Sequence, residues 1–164
     1  MGIISTFSDD LVDYLHKFGW TPDRAVSIDD WKGTLYGEGL PAIPTFLAEL
    51  WVSLGRITLS DGMHPQRLYR ERWELQGRPL NHILIDPVAA VHDGSDDVEL
   101  LKELSEEFGT LLFPFAFQLE SHSTMAFSSS GELIDLTHGF DVWGENPNEG
   151  LRNWLFFLRL PQSR

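Results

Sequence analysis

The hydrophobic period changes along this chain, and that change limits the possible folds more than any single motif does. Up to Leu54 apolar residues recur at three- and four-residue spacing, the signature of amphipathic helices. From Thr110 to Leu136 they crowd into aromatic and branched runs broken by turn residues, as strands do. Helical spacing returns after Pro147. Helices, then strands, then a helix cannot make alternating β-α units, so the expectation is an α+β domain with a mixed or antiparallel sheet flanked by about five helices. At 164 residues, with no repeat, linker or low-complexity segment, residues 1–164 read as one domain.

The punctuation refines this. Phe7, Leu11, Leu15 and Phe18 form the first helix, with Thr6 or Ser8 as cap and Gly19 as stop. Ser27 and Asp30 have capping-box spacing ahead of Ile28, Trp31 and Leu35, a short second helix ending near Gly37 or Gly39. Pro41 and Pro44 open a third, carrying Ile43, Phe46, Leu47, Leu50 and Leu54 on one face and Gly55 at the C-terminal cap position. Between Ile57 and Ile85, breaks at Gly62, Pro65, Gly77 and Pro79 suggest short strands joined by turns. Ser95 is placed to cap a fourth helix that turns Leu100, Leu101, Leu104 and Phe108 inward and stops at Gly109. Strands are expected over Thr110 to Phe113, Phe115 to Phe127 and Glu132 to Leu136, the last two joined by Ser128-Ser129-Ser130-Gly131. Asn146 and Glu149 box the start of a last helix at Pro147, with Leu151, Trp154, Leu155 and Leu158 inward.

Charge then limits the partners. Between Asp86 and Gly150 stand fourteen Asp and Glu against one base, Lys102, and the whole chain carries −13. Such a field repels nucleic acid and anionic lipid and favours a basic protein. The absence of cysteine removes disulfides, thiolate metal sites and cysteine nucleophiles, as expected of a cytoplasmic protein. No apolar run reaches membrane-spanning length and the start has no secretory pattern.

Catalytic and cofactor motifs are weak. Glu120, His122, Asp135 and His138 share a hairpin, but strand parity sends His122 to one face and His138 to the face of Ile134 and Leu136. Ser130, Asp135 and His138 follow triad order without the Gly-x-Ser-x-Gly elbow between strand and helix. Gly37-x-Gly39 lacks the third glycine and the preceding strand of a phosphate loop. The expectation is a chain that binds no stoichiometric metal and no nucleotide cofactor.

The fourth helix gives the strongest functional signal. Asp96, Glu99, Glu103, Glu106 and Glu107 fall within about a 100° arc opposite Leu101, Leu104 and Phe108. Glu99 with Glu103 and Glu103 with Glu107 repel at four-residue spacing. Glu103, Glu106 and Glu107 also lie toward the negative end of the helix dipole. A helix that spends stability on one-sided charge suits the docking of a basic protein; a merely solvated face is the competing reading. Trp143, between Asp141 and Glu145, is a candidate aromatic anchor beside that field, against burial in the core.

Four motifs in order complete the picture: Gly19-Trp20-x-Pro22-x-Arg24 after the first helix, Asp86-Pro87 after a strand, Leu112-Phe113-Pro114-Phe115-Ala116, and the turn at Gly131 into Glu132-Leu133-Ile134. In this they resemble the SUKH superfamily of bacterial immunity proteins, its third subfamily above all. Gly55-Arg56 stands where that family has two glycines, and Gly150-Leu151 where it has Ala-Leu. A glycine inside a helix is expected to cost about 1 kcal/mol against alanine. By the spacing, Trp20 is a lid over a helix end, with Arg24 bonding nearby carbonyls, and Asp86-Pro87 initiates a turn. The resemblance implies a single α+β domain that binds and neutralises a cognate toxin domain, commonly a nuclease, with no catalysis of its own. A regulatory scaffold with the same fold, or a hydrolase with an unrecognised site, are the alternatives.

Overall fold

The structure, a computed structural model, describes residues 2–60, 82–94, 97–137, 139–156 and 161–164. The fold is α+β. Among these residues one sheet runs in chain order, each strand antiparallel to the next: β1 Thr58–Ser60, β2 His82–Leu84, β3 Leu112–Gln118, β4 Ser123–Ser128, β5 Leu133–Asp135, β6 Asp141–Gly144 and β7 Gln162–Ser163. The helices are α1 Asp9–His16, α2 Asp29–Gly37, α3 Thr45–Leu54, α4 Pro87–His92, α5 Val98–Phe108 and α6 Pro147–Phe156, preceded by a 3-10 turn over Ile3–Thr6.

The middle of the sheet is buried on both faces. Every residue of β3 and β4 is buried regardless of parity, as happens when helices cover both sides of a sheet. Phe127, fully buried, meets Phe115 at 4.9 Å and Phe46 of α3 at 5.8 Å. Leu133, its partner in β5, packs against Gly150 of α6, so α3 and α6 share that face. Thr124, of opposite parity, donates to the Ala90 carbonyl of α4 at 2.9 Å on the other face. Parity therefore does not separate inside from outside here, which corrects the expected assignment of faces. The expected strand from Phe115 to Phe127 is also two strands, β3 and β4, joined through exposed residues 119–122, with His122 at φ 54°.

Several helix ends differ from the sequence reading. Asp86-Pro87 opens helix α4 rather than a turn alone: the Asp86 carboxylate accepts from the Val88 and Ala89 amides at 2.9 Å, and Pro87 takes the first helical position. The cap of α5 is Asp97, accepting from the Leu100 amide at 2.8 Å, and the expected cap Ser95 lies outside the described residues. No capping box forms at α2; Ile28 precedes the helix and Asp30 faces Arg56 across 3.1 Å instead. Gly109 does end α5 in the left-handed conformation, and Asn146 does cap α6, accepting from the Glu149 amide at 2.9 Å. Leu158 lies outside the described residues.

Two glycines mark close approaches. A Cβ on Gly55 would sit 2.3 Å from the Trp51 carbonyl and 2.7 Å from the Trp31 ring, so α3 ends against the indole, and the left-handed conformation expected at Gly55 falls to Arg56, φ 68°. Arg56 lies 4.4 Å over Trp31 as it pairs with Asp30. On Gly150 a Cβ would meet Cβ of Leu133 at 2.6 Å. The expected helix penalty at Gly150 is thus outweighed by packing, because only glycine lets α6 settle onto β5.

Two polar contacts tie the chain's start to α6. Arg152 grips Asp10 with a fork, Nε to Oδ1 at 3.0 Å and Nη2 to Oδ2 at 2.6 Å, and the Ser8 amide donates to Asn148 at 2.9 Å. The Arg152 hydrogen bonds hold the Asp10 carboxyl at about 2, well below its ordinary value, against the opposing effect of burial.

Candidate acidic docking face

Helix α5 is positioned by its inner face. Val98, Leu101 and Ser105 are buried, while Leu104 and Phe108 are partly buried against the core. Ser105 also locks the helix end to the sheet: its hydroxyl donates to the Leu101 carbonyl at 2.6 Å and accepts from the Leu112 amide at 2.9 Å. With that face fixed, the helical period turns Glu99, Glu103, Glu106 and Glu107 outward, and all four are exposed together with Lys102. Asp96, the fifth member of the expected row, lies outside the described residues.

The last turn of α5 holds no base. Its exposed carboxylates therefore add to the partial negative charge of the helix C-terminus. Lys102, the nearest cation by sequence, extends toward Gly39: its Nζ lies 2.7 Å from where a Gly39 Cβ would stand. Beside this end is an open groove of about 480 Å³, lined by Lys102, Ser105, Glu106, Gly109, Thr110 and Leu111. Leu111 is 45% exposed there, an apolar contact next to the carboxylates that sequence periodicity had not marked.

The three expected contacts on β6 fare differently. Phe108 meets Phe140 at 5.2 Å, which puts the C-terminal end of α5 beside the start of β6 and so beside Asp141. Asp141 accepts from Ser163 Oγ at 2.9 Å, so its carboxylate is already engaged by β7. Glu145 is exposed but lies past the far end of β6, about 13 Å along the strand from Asp141. Trp143 is only 7% exposed and belongs to the core cluster. As an anchor it is corrected: a partner cannot reach a buried indole, and its backbone carbonyl instead accepts from Asn153 Nδ2 of α6 at 2.9 Å.

The four motif segments serve packing. Trp20 is buried and donates from Nε1 to Ser53 Oγ at 2.9 Å, and Arg24 donates to the Ser53 carbonyl at 3.0 Å, a lid over the end of α3. Gly19 is left-handed at φ 90°, and Pro22 is exposed in the following turn. Pro114 is buried in β3, and Gly131 turns the β4–β5 hairpin at φ 95°.

The groups that could have suggested catalysis have other partners. Glu120 pairs with His82, whose backbone amide donates to it at 2.6 Å, and these bonds hold its carboxyl below the usual range despite some desolvation. Asp135 accepts from the Thr137 amide at 2.9 Å and from Gln118 at 3.2 Å. Ser130 is exposed in the hairpin turn, and His138 lies outside the described residues. Among the described residues no three His, Asp or Glu converge as a metal site, and no helix is long and apolar enough to cross a membrane. In comparisons with known proteins, no family model, no curated protein and no solved structure matches the chain.

Proposed function

We propose that this chain is an immunity protein of the SUKH type, which binds a basic toxin domain, a nuclease by the family resemblance, and neutralises it in the cytoplasm of the producing cell. One observation carries the reading: the exposed row Glu99, Glu103, Glu106 and Glu107 on a helix whose inner face is firmly docked and whose last turn holds no base. Like charges at four-residue spacing and acids at a helix C-terminus each cost stability, and a cationic partner removes both costs on binding. The Leu111 groove supplies an apolar patch beside them. Charge steers the encounter and the apolar contact slows dissociation, a division of labour that needs no catalytic group.

The test begins with the adjacent reading frame. If it encodes a toxin domain, co-expression with this chain should restore growth, and Glu103→Lys with Glu106→Lys should abolish the rescue without unfolding the protein. Growth that stays arrested with the unaltered, folded chain present would refute immunity and favour a scaffold for another partner.

A further inference from the structure

Residues 161–164 occupy a slot that has the parts of a peptide-binding site. Strand β7 pairs with β6 through Asp141 opposite Ser163 and Val142 opposite Gln162. The Arg164 amide donates to the Phe140 carbonyl at 2.9 Å. Its guanidinium reaches Glu132 Oε2 at 2.7 Å and stacks over Phe108 at 5.0 Å, the ring that itself packs on Phe140. Glu132 is the unusual member: its side chain is only 10% exposed, whereas that of Arg164 is 51% exposed. Its other oxygen accepts from Ser128 at 3.3 Å. A cation stabilises a carboxylate this buried, and here the cation comes from a segment held by two strand residues.

We propose that this slot is a recognition site for an arginine-bearing strand of the basic partner, kept filled in the free protein by residues 161–164. Short edge strands open locally at little cost, and once β7 leaves, β6 presents an unpaired edge, with Glu132 and Phe108 within reach of one arginine side chain. A partner strand would then add to the sheet by main-chain hydrogen bonds and place its guanidinium between carboxylate and ring. A second copy of this chain is disfavoured as occupant, because two chains of charge −13 repel. The inference rests on the reading that the partner is basic and adds a second contact to it, distinct from the outer face of α5.

The probe is acetyl-Pro-Gln-Ser-Arg-amide, the sequence of residues 161–164, titrated into isotope-labelled full chain while backbone amides are followed by NMR. The Arg164→Gln chain, its slot left without a cation, should take the peptide saturably, with shifts at Phe108, Glu132, Phe140 and Val142. A peptide with Gln for Arg should bind it about tenfold more weakly, since the ion pair with Glu132 is lost. The unaltered chain should bind more weakly than Arg164→Gln, because its own segment competes. Equal binding of the two peptides, no binding to Arg164→Gln, or shifts confined to Glu99, Glu103, Glu106 and Glu107 would each overturn the slot. The last result would do so while upholding the basic-partner reading, which the charge reversals on α5 test separately.

Discussion

The centre of the sheet and its rim are built on opposite principles. In β3 and β4 every residue is buried: rings such as Phe115 and Phe127 pack on one another, and polar side chains among them are hydrogen-bonded within the protein, as Thr124 is to the Ala90 carbonyl. Along the outer face of α5 and the β6–β7 edge, the side chains are exposed carboxylates, a half-exposed arginine and an exposed leucine. Apolar burial changes little with pH or with moderate sodium chloride, whereas exposed charge responds to both. The difference separates what keeps the protein folded from what is free to meet a partner. It also explains why the rim tolerates repulsion: the centre supplies the stability that the rim gives up.

Mutation separates the two regions. Phe127→Ala and Trp154→Ala each remove a fully packed ring and should cost about 3–5 kcal/mol, equally at low and high salt, in urea unfolding. A loss below about 1 kcal/mol in both would contradict the central role of this core. Gly150→Ala should destabilise by about 1–3 kcal/mol by driving a methyl into Leu133, the reverse of ordinary helix propensity. A gain in melting temperature would show that α6 shifts freely.

Smaller effects belong to the charges. The folded Asp10 carboxyl is depressed, so the stability it adds is fully present above its unfolded value of 3.8 and is lost as pH falls toward about 2. Solvent reaches this pair, which reduces its worth to about 1 kcal/mol. Arg152→Ala should lose that amount at neutral pH and flatten the acid limb; an unchanged limb would assign it to other carboxylates. Glu103→Lys with Glu106→Lys should raise stability by a few tenths of a kcal/mol at low salt, an increment that shrinks as salt screens the row.

What the sequence disclosed depended on how local the signal was. Helices α1, α3, α5 and α6 were legible because a stripe of Leu and aromatic residues is a three-to-four-residue pattern. Helix α4 was not, since at six residues it has no stripe and Asp86-Pro87 begins a turn and a helix alike. Alternation failed in β3 and β4 for a physical reason: with both faces covered, both parities are buried, and in β4 the small or hydrogen-bonded Thr124, Ala126 and Ser128 are as enclosed as Met125 and Phe127. The polar run Glu120-Ser121-His122 was the available sign of the break between them. Of the docking face, Glu99, Glu103, Glu106 and Glu107 were readable from spacing. Trp143 was misplaced because its acidic neighbours say nothing of which way an indole points. The pairing of Glu132 with Arg164 had no signal, as it joins residues far apart in the chain through the sheet edge.

The most direct measurement is the association rate of the toxin domain proposed as partner with the unaltered chain and with Glu103→Lys/Glu106→Lys, at low and at high salt. The rate for the double variant should be about tenfold lower at low salt, with the two curves converging as salt rises, because exposed charge acts on encounter. Identical rates at both salt concentrations would mean that the acidic face of α5 is only solvated and that the partner docks elsewhere.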